Sequence, residues 1–160
     1  MKIFVISDTH FNHENIISYT GRPFKTIDEM NREIIKKWNN KVGKEDLVIH
    51  LGDFALGSKE EIKELKNKLN GTILLIRGNH DHQSKINEAG FIIIEDCIII
   101  EDKIFSHYPL PKEEIPNGLI NVHGHIHGKE SLGGINVSVE KTNYEPLELE
   151  ELEKLVKNKF

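Results

Sequence analysis

Thr72-Ile73-Leu74-Leu75-Ile76-Arg77-Gly78-Asn79-His80-Asp81 sets an apolar, β-branched run directly against a glycine and a cluster of amide, imidazole and carboxylate side chains. The run has the length and composition of a buried strand, and Gly78 permits a tight departure from a sheet. The same arrangement recurs along the chain. Lys2 to Ser7 leads into Asp8-Thr9-His10, Asp46 to His50 into Gly52-Asp53, Lys103 to Ser106 into His107, and Leu119 to Val122 into His123-Gly124-His125-Ile126-His127. Open α/β sheets bind ligands beyond the carboxyl ends of their strands. Five separated segments of metal-capable residues in that position therefore predict one convergent site.

Between these strands the spacing turns helical, which predicts an α/β chain of βα units. A short helix is expected over Glu14 to Tyr19. Thr26-Ile27-Asp28-Glu29 reads as a capping box opening a helix to about Asn40, with Ile27, Met30, Ile34, Ile35 and Trp38 on its apolar face. Ser58-Lys59-Glu60-Glu61 repeats the signal for a helix burying Ile62, Leu65 and Leu69 and closing at Asn70-Gly71 in a left-handed cap. A further helix is expected around Ser84 to Glu88. Phe91 to Ile94, Cys97 to Glu101 and Lys103 to Ser106 then read as an antiparallel meander with a turn at Asp102-Lys103. Ile135 to Val139 is another strand. The tail from Leu147 to Asn158 is an amphipathic helix with Leu149, Leu152, Leu155 and Val156 on one face.

The 160 residues fit one domain, 1–160, built on one core. Apolar residues at 38% and charged residues at 29% give the balance of a soluble globular chain. No apolar run reaches the roughly 18 to 20 residues of a membrane span, and Met1 to Ile6 is too brief for a secretory segment, so a cytoplasmic protein is expected. Cys97, the only cysteine, excludes an internal disulfide and reads as a buried, inert thiol. A net charge of −5 without a long basic block argues against extended nucleic-acid binding. Two divalent cations would still add about +4 against the charges of Asp8 and Asp53, leaving a locally positive pocket suited to a phosphate-bearing substrate.

The donor set holds carboxylate, imidazole and amide oxygen without thiolate, which suits Mn, Fe, Zn, Ni or Co rather than a structural cysteine-type zinc site. Asp-x-His, Gly-Asp, Gly-Asn-His-Asp, His and Gly-His-x-His, in that order between Lys2 and Val139, resemble the calcineurin-like metallophosphoesterase superfamily. The resemblance implies a four-layer αββα sandwich of two mainly mixed sheets flanked by helices. It also implies two divalent metal ions, manganese foremost. Asp8, His10 and His127 would hold the first ion, Asn79, His107 and His125 the second, and Asp53 would bridge them. Only a carboxylate, with two oxygens and a negative charge, suits that bridge across about 3.5 to 4 Å.

Such a centre implies hydrolysis of a phosphoester by metal-activated hydroxide, with no serine or cysteine nucleophile. By the same resemblance His80 faces the substrate, stabilising the transition state or protonating the leaving oxygen, and Asp81 orients it. One of His13, Asn15 and Arg22 is expected to reach a substrate phosphate or base from above the metals, the alternative being a solvent-exposed loop, while Arg77 has a structural or electrostatic role or touches substrate. His50 and His123 read as packed histidines beside the ligands, and His82 as a surface residue. The small members of the family point to a phosphodiester substrate of small-nucleotide type. The alternatives are a nuclease or nucleic-acid end-processing phosphatase and, in another class, a noncatalytic scaffold. Protein phosphatases and dinucleoside tetraphosphate hydrolases share the early motifs, but they carry longer arginine-bearing segments after Gly-Asp. Here Gly52-Asp53-Phe54-Ala55-Leu56-Gly57 runs straight into a helix.

Overall fold

The structure is a computed structural model describing residues 1–159. Its elements alternate in the expected order, with β1 at Ile3–Ile6, α1 at Glu14–Thr20, α2 at Ile27–Lys41, β2 at Leu47–His50, α3 at Lys59–Asn67, β3 at Thr72–Ile76 and α4 at Gln83–Glu88. There follow β4 at Ile92–Ile94, β5 at Cys97–Ile100, β6 at Lys103–Ser106, β7 at Ile120–His123, β8 at Gly134–Asn136, β9 at Leu147–Glu148 and α5 at Leu149–Lys159. Two mixed sheets flanked by helices form the α/β sandwich, with strand orders β4-β3-β2-β1-β9 and β5-β6-β7-β8. β1 to β4 run parallel, and β9 pairs antiparallel with β1. In the second sheet β6, β7 and β8 are parallel and β5 is antiparallel to β6.

The single expected core is divided by the first sheet. On one side α1 to α4 bury Ile16, Met30, Ile34, Trp38, Ile62, Leu65 and Ile86 against Phe4, Val48, Ile73 and Leu75. On the other, Val5, Ile49 and Ile76 face Phe105, Val122 and Ile135 across the sandwich, joined by Leu152 and Val156 of α5. Alternate residues of one strand thus enter two different clusters, as the two-residue period of a strand requires.

Both capping signals hold, one of them in full. The Ser58 hydroxyl accepts from the Glu61 N–H and Glu61 returns a bond to the Ser58 N–H. Thr26 accepts from the Glu29 N–H, but the Glu29 carboxylate reaches back to Lys25 instead. The helix expected to end at Asn70-Gly71 stops at Asn67, and Gly71, with φ of 87°, turns the chain into β3.

The expected meander is corrected. β4 continues the parallel order of the first sheet, whereas β5 opens the second, so the chain crosses between sheets at Glu95-Asp96. Pairing of Ile100 with Lys103 places the hairpin turn at Glu101-Asp102, one residue before the expected position. Cys97 is exposed rather than buried. β5 is an edge strand on which Cys97 and Ile99 face outward while Ile98 and Ile100 pack inward, so the run alternates where full burial was expected. Leu155 of α5 is likewise exposed, and β9 precedes that helix where helix was expected from Leu147. No helix among the described residues is long and apolar enough to cross a membrane.

Candidate metal centre

Parallel pairing aligns Ile6 with His50 and Ser106 with His123, so the loops after β1, β2, β6 and β7 leave the same edge of the sandwich. Each turns back sharply. Asp8, His10, Asp53, His125 and His127 all adopt left-handed backbone conformations, with φ between 48° and 68°. Such conformations cost roughly 1–2 kcal/mol per residue and are most tolerable for Asp, Asn and His. The compensation is local. Asp8 N–H donates to Gly52 O, His10 N–H to Asp53 O, and His125 N–H to Asp8 Oδ2, which ties the loops to one another.

Two glycines let them approach. A Cβ at Gly124 would lie 1.9 Å from Ser7 Oγ, and one at Gly78 would lie 2.3 Å from Asp53 Oδ1. No side chain fits at either place.

The result is two adjacent groups of donors, Asp8 with His10 and His127, and Asp53 with His107 and His125. Asp53 Oδ2 lies between them, 3.4 Å from His10 Nε2 and 3.6 Å from His107 Nε2. Asn79 Oδ1 joins the second group, 2.9 Å from His107 Nε2 and 3.1 Å from His125 Nδ1. Three donors separated by 2.9 to 3.3 Å fit around a single ion with coordination bonds of about 2.1 Å.

The groups pass a test for metal on their own geometry. Asp8 Oδ1 and His10 Nε2 are buried without any hydrogen-bond partner, a costly state unless something else satisfies them. His107 Nδ1 lies 2.7 Å from the Leu51 carbonyl, which assigns the proton to that nitrogen and leaves Nε2 free to ligate. His127 Nδ1 faces the Glu140 carboxylate at 3.1 Å, which orients its other nitrogen in the same way. Burial alone would raise the Asp53 carboxyl, but the His10 imidazole 3.4 Å away, the charge of His107 and the His80 N–H hold it well below the ordinary range. Burial pushes His125 down. Burial also acts to lower His127, but the Glu140 hydrogen bond and the Asp8 charge outweigh it and raise it.

His80 is exposed beside this centre, its ring 5.4 Å from that of His10, and its backbone N–H donates to Asp53 Oδ1. His13 lines the same cleft, with Nδ1 3.2 Å from His10 Nδ1 and its ring 6.0 Å from that of His80. Burial, then His10 and His80, push His13 down to about 4, so it is neutral near pH 7.

Asp81 does not reach toward His80. Its carboxylate accepts from the backbone N–H groups of Asp53, Phe54 and Gly78, which clamps the loops after β2 and β3 together. Arg22 is buried, and its guanidinium donates to the carbonyls of Asp8 and Thr9 and pairs with Glu140 at 2.8 Å. It braces the first ligand loop from behind instead of standing in the cleft. Asn15 is exposed on α1, and the Arg77 side chain pairs with Glu95 at 3.0 Å.

His50 accepts from the Gly52 N–H and bonds the Thr9 hydroxyl, while His123 bonds the Ser131 hydroxyl. Both are buried and pack behind the ligand loops as expected, and His82 is exposed.

Glu140 was not visible as a functional residue in the sequence. Burial acts to raise its carboxyl, but the His127 hydrogen bond and the Arg22 charge prevail and hold it at about 2. Its one signal was positional, a carboxylate following the Ile135 to Val139 run as other polar residues follow the earlier strands. Ser138, inside that same run, carries no such signal, and its hydroxyl donates to Asp8 Oδ2.

The family model described as calcineurin-like phosphoesterase matches residues 1–159. The chain belongs to that family. This phosphoesterase is 42% identical over 170 residues to an uncharacterized protein of Methanocaldococcus jannaschii, covering 97% of this chain and 91% of that one. Among solved structures it is similar to a protein of unknown function from Aquifex aeolicus, with a TM-score of 0.76 and 28% identity over 96% of this chain and 98% of the other. It shares its fold with a novel archaeal phosphodiesterase, with a TM-score of 0.50 and 22% identity over 86% and 82% of the two chains. The family uses divalent metals, and its His and Asp clusters are present here.

Proposed function

We propose that the chain hydrolyses phosphodiesters of small-nucleotide type at a dinuclear metal centre. Asp8, His10 and His127 hold one ion, Asn79, His107 and His125 the other, and Asp53 bridges them. The observation that carries this reading is the position of Asp53 Oδ2 between the two donor groups, within 3.6 Å of an imidazole nitrogen of each. Bound divalent cations would neutralise phosphoryl oxygens and lower the pKa of water toward neutrality. The chain's own part is positional. Asp81 and Glu140 hold the ligand loops, and His80, at the open side of the centre, delivers a proton to the departing oxygen. The nitrogen and oxygen donor set suits Mn, Fe, Zn, Ni or Co alike, and the family resemblance puts manganese first among them. The fold shared with the archaeal phosphodiesterase and the open cleft of about 690 Å³ beside His80 favour a diester over a monoester.

The test is metal analysis together with hydrolysis of bis(4-nitrophenyl) phosphate and 4-nitrophenyl phosphate. The expected result is two ions per chain and faster cleavage of the diester. His80→Ala should lower kcat by about 10²- to 10⁴-fold with the metal retained. Failure to take up metal from manganese or zinc, or unchanged kcat in the variant, defeats the reading.

A further inference from the structure

Two clefts meet at the candidate metal centre. The first, of about 690 Å³, is lined by His80, His125 and His127 together with Tyr19 and Lys129. The second, of about 340 Å³, is lined by Asn79, His107 and Tyr108 and continues past Arg77, Glu95 and Asp96. Tyr108 packs its ring 4.9 Å from that of His107 and 4.5 Å from that of His125, so it joins the wall of the second cleft to a ligand of the first.

Each cleft therefore carries one exposed tyrosine. Tyr19 is 72% exposed on α1, held edge-on to His13, and Tyr108 is 49% exposed directly after the ligand His107. An aromatic ring left open to water beside a catalytic centre offers a π-face on which a nucleobase stacks. A phosphodiester has two ester arms where a monoester has one. With phosphorus at the metal ligands, one arm enters each cleft and meets one ring.

The charges differ between the clefts. Lys129 lines the first, whereas the second holds Glu95 and Asp96, and its Arg77 is already paired with Glu95. The Arg77–Glu95 pair cancels, which leaves the Asp96 carboxylate to meet any further phosphate on the arm in the second cleft, so the substrate ends there.

Resting on the phosphodiesterase reading above, we propose that the substrate is a linear dinucleotide, with one base stacked on Tyr19 and the other on Tyr108. Any additional terminal phosphate is carried only by the arm that lies beside Lys129.

The experiment measures KM and kcat of the manganese-loaded chain for a dinucleoside phosphodiester, its two terminally phosphorylated forms and an oligonucleotide of about eight residues. Tyr19→Ala and Tyr108→Ala should each raise KM for the dinucleoside about 10-fold, and Tyr→Phe at either position should restore it, because the ring and not the hydroxyl stacks. One phosphorylated form should be cleaved well and the other poorly. Unchanged KM in both alanine variants overturns the inference. Equal use of the two phosphorylated forms, or cleavage of the oligonucleotide as readily as the dinucleotide, does so as well. A wild-type chain inert toward every diester overturns the phosphodiesterase reading itself, which separates the two failures.

Discussion

Replacing Glu140 with glutamine should both loosen the fold and weaken the metal centre. Glu140 Oε1 lies 3.0 Å from Arg22 Nε, 2.8 Å from Arg22 Nη2 and 3.1 Å from His127 Nδ1. The Arg22 side chain is wholly buried and that of Glu140 nearly so. Glutamine keeps the volume and one acceptor oxygen but removes the countercharge of a buried guanidinium, a change that costs about 3–5 kcal/mol in comparable pairs. The same figure follows from the carboxyl itself. Held at about 2 against an ordinary 4.5, it contributes about 3 kcal/mol to folding at neutral pH. Because the folded value is depressed, that contribution is complete above pH 4.5 and is lost as pH falls toward about 2.

At about 2–4 °C per kcal/mol for a chain of this size, Glu140→Gln in the metal-free protein should unfold about 6–20 °C lower than wild type at pH 7. His127 loses the partner that orients it, so metal affinity measured by chelator competition should fall about 10- to 100-fold. A melting temperature within about 2 °C of wild type with unaltered metal affinity would refute this account of Arg22, Glu140 and His127.

Asp53→Ala should empty both metal positions together, because its carboxylate faces both donor groups; a variant retaining either ion at wild-type affinity, by metal analysis after dialysis, contradicts the bridge. His50 is fully buried and pushed down to about 3 by burial, so the folded metal-free chain binds fewer protons than the unfolded one between that value and 6.5, and stability declines as pH falls through this window. His50→Gln should remove on the order of 3 kcal/mol of the loss between pH 7 and pH 4.5 in urea unfolding, and an unchanged acid limb would count against it. Gly124→Ala drives a Cβ into Ser7 Oγ and Asp8 Oδ2 and should cost about 1–3 kcal/mol or more along with metal affinity, whereas Gly133→Ala, with nothing within 4 Å, should be silent. Equal melting temperatures for the two glycine variants would remove the argument for close loop packing.

The strands, their carboxyl ends and the ligand segments were legible in the chain because each is a local pattern: an apolar run followed within a few residues by Asp, Asn or His. The donor groups the structure brings together are those that the sequence motifs select, since parallel strands in register deliver their following loops to one edge. Where order in sequence says little about proximity, tertiary structure decided. β4 and β5 are separated only by Glu95 and Asp96, yet they join different sheets, and Cys97 faces out because its strand is an edge. Arg22 and Glu140 lie 118 residues apart, and only folding joins them behind His10 and His127. Asp81 sits next to His80 in the chain, but its carboxylate is spent on the backbone of Asp53, Phe54 and Gly78, because a buried charge goes where unpaired N–H groups are. Sequence alone thus named the residues able to bind metal. Which side chains hold them in place depends on long-range burial, and no local pattern encodes it.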